Sequence, residues 1–266
     1  MRPILELSKV SYSYHLPDQE VIALKDVSFQ VNAGEFVAIV GPSGCGKSTL
    51  LSIIAGLIPP GKGTAYVDGV SPEHAIDRIG YMLQKDHLLE WRRVYANMCL
   101  GLEIRGLNDE KHHSSVRSMM NNYGLGKFER SYPSSLSGGM RQRAALIRTL
   151  ALAPDLLLLD EPFSALDYLT RLEVGDDIGK IIRKTGKTAV LVTHDLSEAI
   201  SLADRIIVLT GRPGTVKCIL DIEFPEEVTT SLDRRNSPEF ARQFHRVWTA
   251  LKEDDCQKVS EEGGVF

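Results

Sequence analysis

The amino-acid sequence predicts an α/β fold built on a mainly parallel central sheet. Three observations lead there. The run Phe36-Val37-Ala38-Ile39-Val40 is continuously apolar, as expected of a strand buried on both faces of a parallel sheet. It runs straight into a glycine-rich loop and then a helical pattern from Lys47. Further short apolar runs alternate with helical stretches down the chain, the order that right-handed crossovers give to a parallel sheet.

The first third reads as strands. Residues 4–10 form a short apolar-rich run, and Val27-Ser28-Phe29-Gln30-Val31 alternates apolar and polar at period two, as a half-buried strand does. Asn32-Ala33-Gly34 reads as a turn. Buried strands are expected at 79–83, 156–159, 188–192 and 205–209, with helices at 138–152 and 167–184. Residues 86–135 are more polar, contain Met119-Met120 and lack a strong strand signal, so they read as a helical insertion. Beyond Arg212 come a β-like piece at 214–224 and a helix at 238–251. The acidic, polar residues 253–266 are expected to be disordered.

The bulk numbers agree with one such domain. Of 266 residues, 43% are hydrophobic and 25% charged, an ordinary globular balance. A formal net charge of −4, from 31 basic and 35 acidic residues, gives no global reason to expect nucleic acid as a partner. Cys45, Cys99, Cys218 and Cys256 show no C-x-x-C spacing, which fits free thiols in a reducing cytoplasm. The start of the chain has Glu6 where a signal peptide needs an apolar stretch. Its longest apolar runs fall short of the ~20 residues that cross a bilayer. The expectation is a soluble chain that reaches a membrane only through a partner.

Gly41-Pro42-Ser43-Gly44-Cys45-Gly46-Lys47-Ser48-Thr49 fits G-x-x-x-x-G-K-[ST] between a strand and a helix, the pattern of a P-loop NTPase. Glycines let consecutive backbone N–H groups turn inward around phosphates, and the helix beginning near Lys47 adds its positive dipole end. Lys47 should reach the β- and γ-phosphates, and the Ser48 hydroxyl should help hold Mg²⁺. By itself the loop leaves kinase, GTPase, transporter engine and repair ATPase open.

Leu156-Leu157-Leu158-Leu159-Asp160-Glu161 is an apolar strand ending in two carboxylates. Ligands of open α/β sheets sit at the C-terminal ends of strands, so both acids should share the crevice of the loop. Asp160 can orient the metal, and Glu161 can act as general base on the attacking water. Upstream, Ser137-Gly138-Gly139 opens a helix and offers a second anion-binding end. One γ-phosphate has no need of two such ends, which points to ATP shared with a second copy.

At this point the sequence resembles the ATP-binding cassette (ABC) ATPases, over roughly residues 3–210. Gly41 to Thr49 looks like their Walker A, Leu136-Ser137-Gly138-Gly139-Met140-Arg141-Gln142 like their signature, and Leu156 to Glu161 like Walker B. Ser164-Ala165-Leu166-Asp167 resembles the D-loop and His194 the switch histidine. Gln84 matches the glutamine that helps sense Mg²⁺ and water, and Tyr14, with Tyr12 close by, falls where the family stacks an aromatic on adenine. The resemblance implies an N-terminal antiparallel β subdomain and a helical subdomain inserted at about 86–150, within an ATPase domain of residues 1–225. Residues 226–266 would be a short C-terminal helical extension and tail. It also implies a homodimer that sandwiches two ATP molecules, with Ser137, Gly138 and Gly139 of one subunit facing the loop of the other.

Lys47 and Ser137 lie 90 residues apart with no sustained heptads between them, unlike chromosome ATPases. A single cassette is also unlike translation factors. Gln84-Lys85-Asp86-His87-Leu88-Leu89-Glu90-Trp91-Arg92-Arg93-Val94 resembles the docking stretch of importers for nitrate, sulfonates and taurine. Glu90 stands where those relatives usually have proline, and Arg93 where they have threonine; Trp91 fits either an interface or the core. The resemblance implies a peripheral protein on the cytoplasmic face of the membrane, bound to permease subunits through residues 84–94 and served indirectly by a solute-binding protein. An exporter engine and a non-transport ATPase are the alternatives.

Overall fold

A computed structural model of the protein describes residues 3–17 and 19–252. The chain begins with two long strands, β1 (Leu5–Leu16) and β2 (Gln19–Val31), which pair antiparallel and are joined by β4 (Lys62–Val67) in the order β2-β1-β4. Both strands are longer than the period-two signal suggested. Register shifts between Leu7 and Ser13 interrupt the alternation that would have extended them.

Between β2 and β4 the chain forms β3 (Phe36–Val40), the phosphate loop and α1 (Lys47–Ile54). The second sheet has the order β5-β6-β7-β3-β8-β9. Its strands are β5 (Ile79–Met82), β6 (Leu156–Asp160), β7 (Thr188–Val192), β8 (Arg205–Leu209) and β9 (Val216–Asp221). The first five strands of that order are parallel, and β9 closes the edge antiparallel to β8.

Because successive strand residues point to opposite faces, the sheet feeds two cores. Val37, Ile39, Leu156, Leu158, Val190 and Val192 pack with α1 and the antiparallel sheet. Ala38, Val40, Leu157, Leu159, Ala189 and Leu191 pack on the other side. That side is covered by α5 (Gly138–Leu150), α6 (Tyr168–Thr185) and α7 (Leu196–Leu202).

The insertion contains α2 (Val94–Met98), α3 (Leu100–Ile104) and α4 (Glu110–Asn122). These wrap a third core of Val94, Met98, Leu102, Val116 and Met120 against Ala144 and Ile147 of α5. After β9 come α8 (Ser231–Asn236) and α9 (Pro238–Lys252). They rest on α7 through Val247, Ala250 and the Arg234–Ala203 hydrogen bond. The expected tail disorder at 253–266 lies outside the described residues.

Candidate nucleotide site

Four neighbouring parallel strands deliver the candidate residues to one edge. Gln84 follows β5, Asp160 and Glu161 end β6, His194 follows β7, and the phosphate loop follows β3. The loop, Glu161 and His194 open on a cleft of about 610 Å³ lined by Tyr14, Ser43, Gly44, Gly46, Lys47, Ser48, Thr49, Glu161 and His194, together with Val21, Ala23 and Arg212.

The loop is shaped by its glycines. Gly46 holds φ +99°, and a Cβ there would press to 2.7 Å from Leu24 Cδ2, so only glycine lets α1 start here. Lys47 is buried and donates through Nζ to Gly41 O at 2.8 Å and Pro42 O at 3.0 Å. Its ammonium is thereby fixed inside the loop. Gly41 and Cys45 are buried members of the loop; the Cys45 side chain is packed in the core, and neither residue is part of the cleft wall.

Asp160 sits between two hydroxyls. Ser48 Oγ donates to its Oδ1 at 3.5 Å and Tyr81 OH to its Oδ2 at 3.4 Å. Burial raises the Asp160 pKa above the usual carboxylate range, the Ser48 bond opposes that rise, and the neighbouring charge of Glu161 adds to it. Burial and the Asp160 charge push Tyr81 up to about 12. Ser48 and Asp160 supply hard oxygen donors close together, a set that fits Mg²⁺ completed by phosphate oxygens and water. Among the described residues, no three His, Cys, Asp or Glu side chains gather to hold a metal by themselves.

Glu161 adopts φ +43°, and its N–H is tied to Val192 O at 2.8 Å. A non-glycine residue in this left-handed region costs about 1 kcal/mol. Its Oε2 accepts from Gln84 Nε2 at 3.2 Å and stands 3.2 Å from His194 Nδ1. Gln84 also donates to Ser164 Oγ at 3.3 Å. The Gln84 amide is thus turned to Glu161 and Ser164 rather than to the Ser48–Asp160 pair. Tyr14 is 43% exposed, stacks edge-on to Tyr12 and shares a 3.0 Å hydrogen bond with Thr49 Oγ1. Tyr14, not Tyr12, lines the cleft.

Gln84 and Asp160 stand behind the cleft wall, joined to it through Glu161 and Ser48, whereas Ser137, Gly138 and Gly139 neither line the cleft nor bond to a residue that does. They open α5, where Ser137 Oγ caps Met140 N. One turn on, Arg141 donates to both oxygens of Asp86 at 2.9 and 3.0 Å and to Glu90 Oε1 at 2.6 Å. Arg148 donates to the carbonyls of Asp86 and His87, and buried Asn97 bonds the backbone of Leu89 in both directions. The stretch 84–94 is therefore clamped to the helix that carries Ser137. From its middle Trp91 projects, 76% exposed.

Compared with known families, residues 24–164 match the family described as ABC transporter. The chain is an ABC transporter ATP-binding protein. This ABC ATPase is 43% identical over 256 residues to an uncharacterized ABC transporter ATP-binding protein, YtlC, of Bacillus subtilis, covering 96% of this chain and 98% of that one. It is 41% identical over 247 residues to the taurine import ATP-binding protein TauB of Yersinia pestis, covering 92% of this chain and 94% of that one. Among solved structures, a dimeric ATP-binding cassette in a post-hydrolysis state with ADP and Pi superposes with a TM-score of 0.72. That cassette is 31% identical, and the match spans 83% of this chain and 100% of that one. The α/β P-loop fold and the ATPase class of the sequence reading are those of the family. No helix among the described residues is long and apolar enough to cross a membrane.

Sequence reasoning missed Val21, Ala23 and Arg212 in the lining of the ABC ATPase cleft, and Tyr81 behind it. Tyr81 meets Asp160 only because β5 and β6 lie in register. Arg212 follows β8, the strand beside β3, and the rule that ligands gather at strand ends could have found it.

Proposed function

We propose that this ABC ATPase powers an importer of small anions such as nitrate, sulfonates or taurine. Trp91 carries the reading. A tryptophan left 76% exposed on a clamped segment suits a partner surface far better than a core. The segment is the one that resembles the docking stretch of such importers, and the taurine import relative supports the same substrate class. The partner is a permease subunit gripping residues 84–94, which sets the protein on the cytoplasmic face of the membrane with a solute-binding protein acting indirectly.

Two copies form a homodimer in which Ser137, Gly138 and Gly139 of each subunit complete the cleft of the other. The placement of these residues away from their own cleft supports it, as does the dimeric form of the solved cassette. In each site Tyr14 stacks on adenine, while Lys47, Thr49 and the loop N–H groups hold the phosphates. Mg²⁺, held by Ser48 and Asp160 with Gln84 near its water shell, would neutralise phosphate charge. Glu161 takes a proton from water as the water oxygen bonds the γ-phosphorus and the bond to the bridging oxygen of ADP breaks. His194 orients Glu161 and contacts the γ-phosphate.

The decisive experiment is reconstitution in proteoliposomes with a cognate permease and solute-binding protein. ATP-dependent uptake of nitrate, taurine or another sulfonate is expected. A complex that hydrolyses ATP but takes up none of them would overturn the substrate class. A fully active monomer would overturn the shared site.

A further inference from the structure

The edge that carries Gln84, Glu161, His194 and the phosphate loop continues one strand further. Arg212 lies just past the end of β8, which flanks β3 on the side opposite β7. Its side chain crosses the phosphate loop itself. Nε donates to Gly44 O at 3.2 Å, and a Cβ built on Gly44 would stand 3.3 Å from Nη2. Among the described residues no carboxylate pairs with this guanidinium. Arg141, Arg143, Arg171, Arg183 and Arg205 all have acidic partners.

The segment bearing it is fixed to the site from beneath. Gly214 N donates to Ala23 O at 2.9 Å, and Lys25 N donates to Gly214 O at 3.0 Å. A Cβ on Gly214 would fall 2.1 Å from Cys45 O, so the turn rests directly on the backbone of the phosphate loop. Thr210 Oγ1 and Thr215 close the turn with hydrogen bonds of 2.9 and 3.0 Å. Arg212 therefore reaches the cleft wall from a rigid base, with Nε anchored and both Nη groups left to donate. A planar, uncompensated fork of this kind matches phosphate oxygens.

We propose that Arg212 is a further nucleotide-binding residue, its Nη groups donating to the polyphosphate held by the loop. It supplements Lys47 from the opposite flank, through the hairpin that joins β8 to β9. The inference rests on the phosphate loop being the nucleotide site, and the test separates the two.

Equilibrium binding of ATP, ADP and adenosine should be measured on the full chain for wild type, Arg212→Gln, Arg212→Lys and Lys47→Ala. Loss of charged donors should weaken ATP and ADP by about tenfold in Arg212→Gln while leaving adenosine unchanged, with Arg212→Lys in between. Raising salt should narrow the gap between wild type and Arg212→Gln for ATP. Unchanged ATP affinity in both Arg212 variants overturns the proposal, and so does an equal loss for adenosine, which would mark a structural role. Should Arg212→Gln fail to fold, Arg212→Lys with wild-type affinity and wild-type salt dependence overturns it. Lys47→Ala binding ATP like wild type would instead discredit the loop as the site.

Discussion

His194 Nδ1 stands 3.2 Å from Glu161 Oε2, the same oxygen that accepts from Gln84 Nε2. The loops after β7 and β5 thus hold the carboxylate that follows β6 from two sides. Glu161→Gln preserves the size of the side chain and removes its basicity. Turnover should fall by ~10²–10⁴ with nucleotide affinity intact. Phosphate release and equilibrium binding measured on one preparation check this, and near-normal turnover would remove Glu161 from the role of base.

Lys47 is held by two loop carbonyls, and in the proposed site its charge meets the phosphates. Lys47→Ala should lower ATP affinity itself by at least about tenfold, the worth of a charge-assisted contact. Titration calorimetry with ATP reads it directly. Unchanged affinity would contradict the placement.

Asp160 is partly buried beside Glu161, and its carboxyl titrates above the usual range. A carboxylate with a raised folded pKa weakens the fold once ionised, so its contribution improves as pH falls back through that pKa. At neutral pH Asp160→Asn should raise the melting temperature of the nucleotide-free protein by about 2 °C while abolishing Mg²⁺-dependent hydrolysis. A lowered melting temperature would show that the Ser48 and Tyr81 bonds outweigh the cost of burial.

Asp86 behaves in the opposite way. Burial alone would raise its pKa, but the Arg141 hydrogen bonds, the Leu88 N–H and the charges of Arg141 and Arg148 hold it below the usual range. Its contribution is present above about pH 4, the unfolded value, and is lost as pH falls through the lower folded one. Arg141→Ala should cost about 1–3 kcal/mol at neutral pH and flatten the acid limb of the stability curve. Urea melts between pH 3 and 7 provide the comparison. A parallel displacement of the whole curve would mean that Asp86 is not the titrating partner.

Trp91 touches little of its own chain, so Trp91→Ala should leave melting temperature and basal ATPase activity unchanged. Stimulation by the permease should drop several-fold, since exposed aromatic anchors dominate interface energetics. Full stimulation in the variant would exclude Trp91 from the interface.

The central sheet was legible because burial on both faces leaves β3 wholly apolar and β6, β7 and β8 apolar at four consecutive positions each. The residues at their ends were legible because each motif is contiguous in sequence. β4 was not: Lys62-Gly63-Thr64-Ala65-Tyr66-Val67 leaves mostly exposed positions and pairs only at the edge of a small sheet. α8 escaped because its signal is a capping box of Thr230 and Asp233, with little apolar periodicity. Tyr81 and Arg212 become neighbours of the cleft through strand order and register, which composition does not encode. Glu90, a departure from the importer pattern, finds its reason in Arg141, 51 residues away in sequence.

α5 belongs to two cores at once: Ala145, Leu146 and Leu150 face the sheet, while Ala144 and Ile147 face the insertion. Neither block owns the helix. Excising residues 86–135 to obtain a minimal cassette would strip α5 along one side and leave a sticky apolar stripe in water. The insertion cannot be shed as a module, and the chain should melt in a single cooperative step with its two halves inseparable.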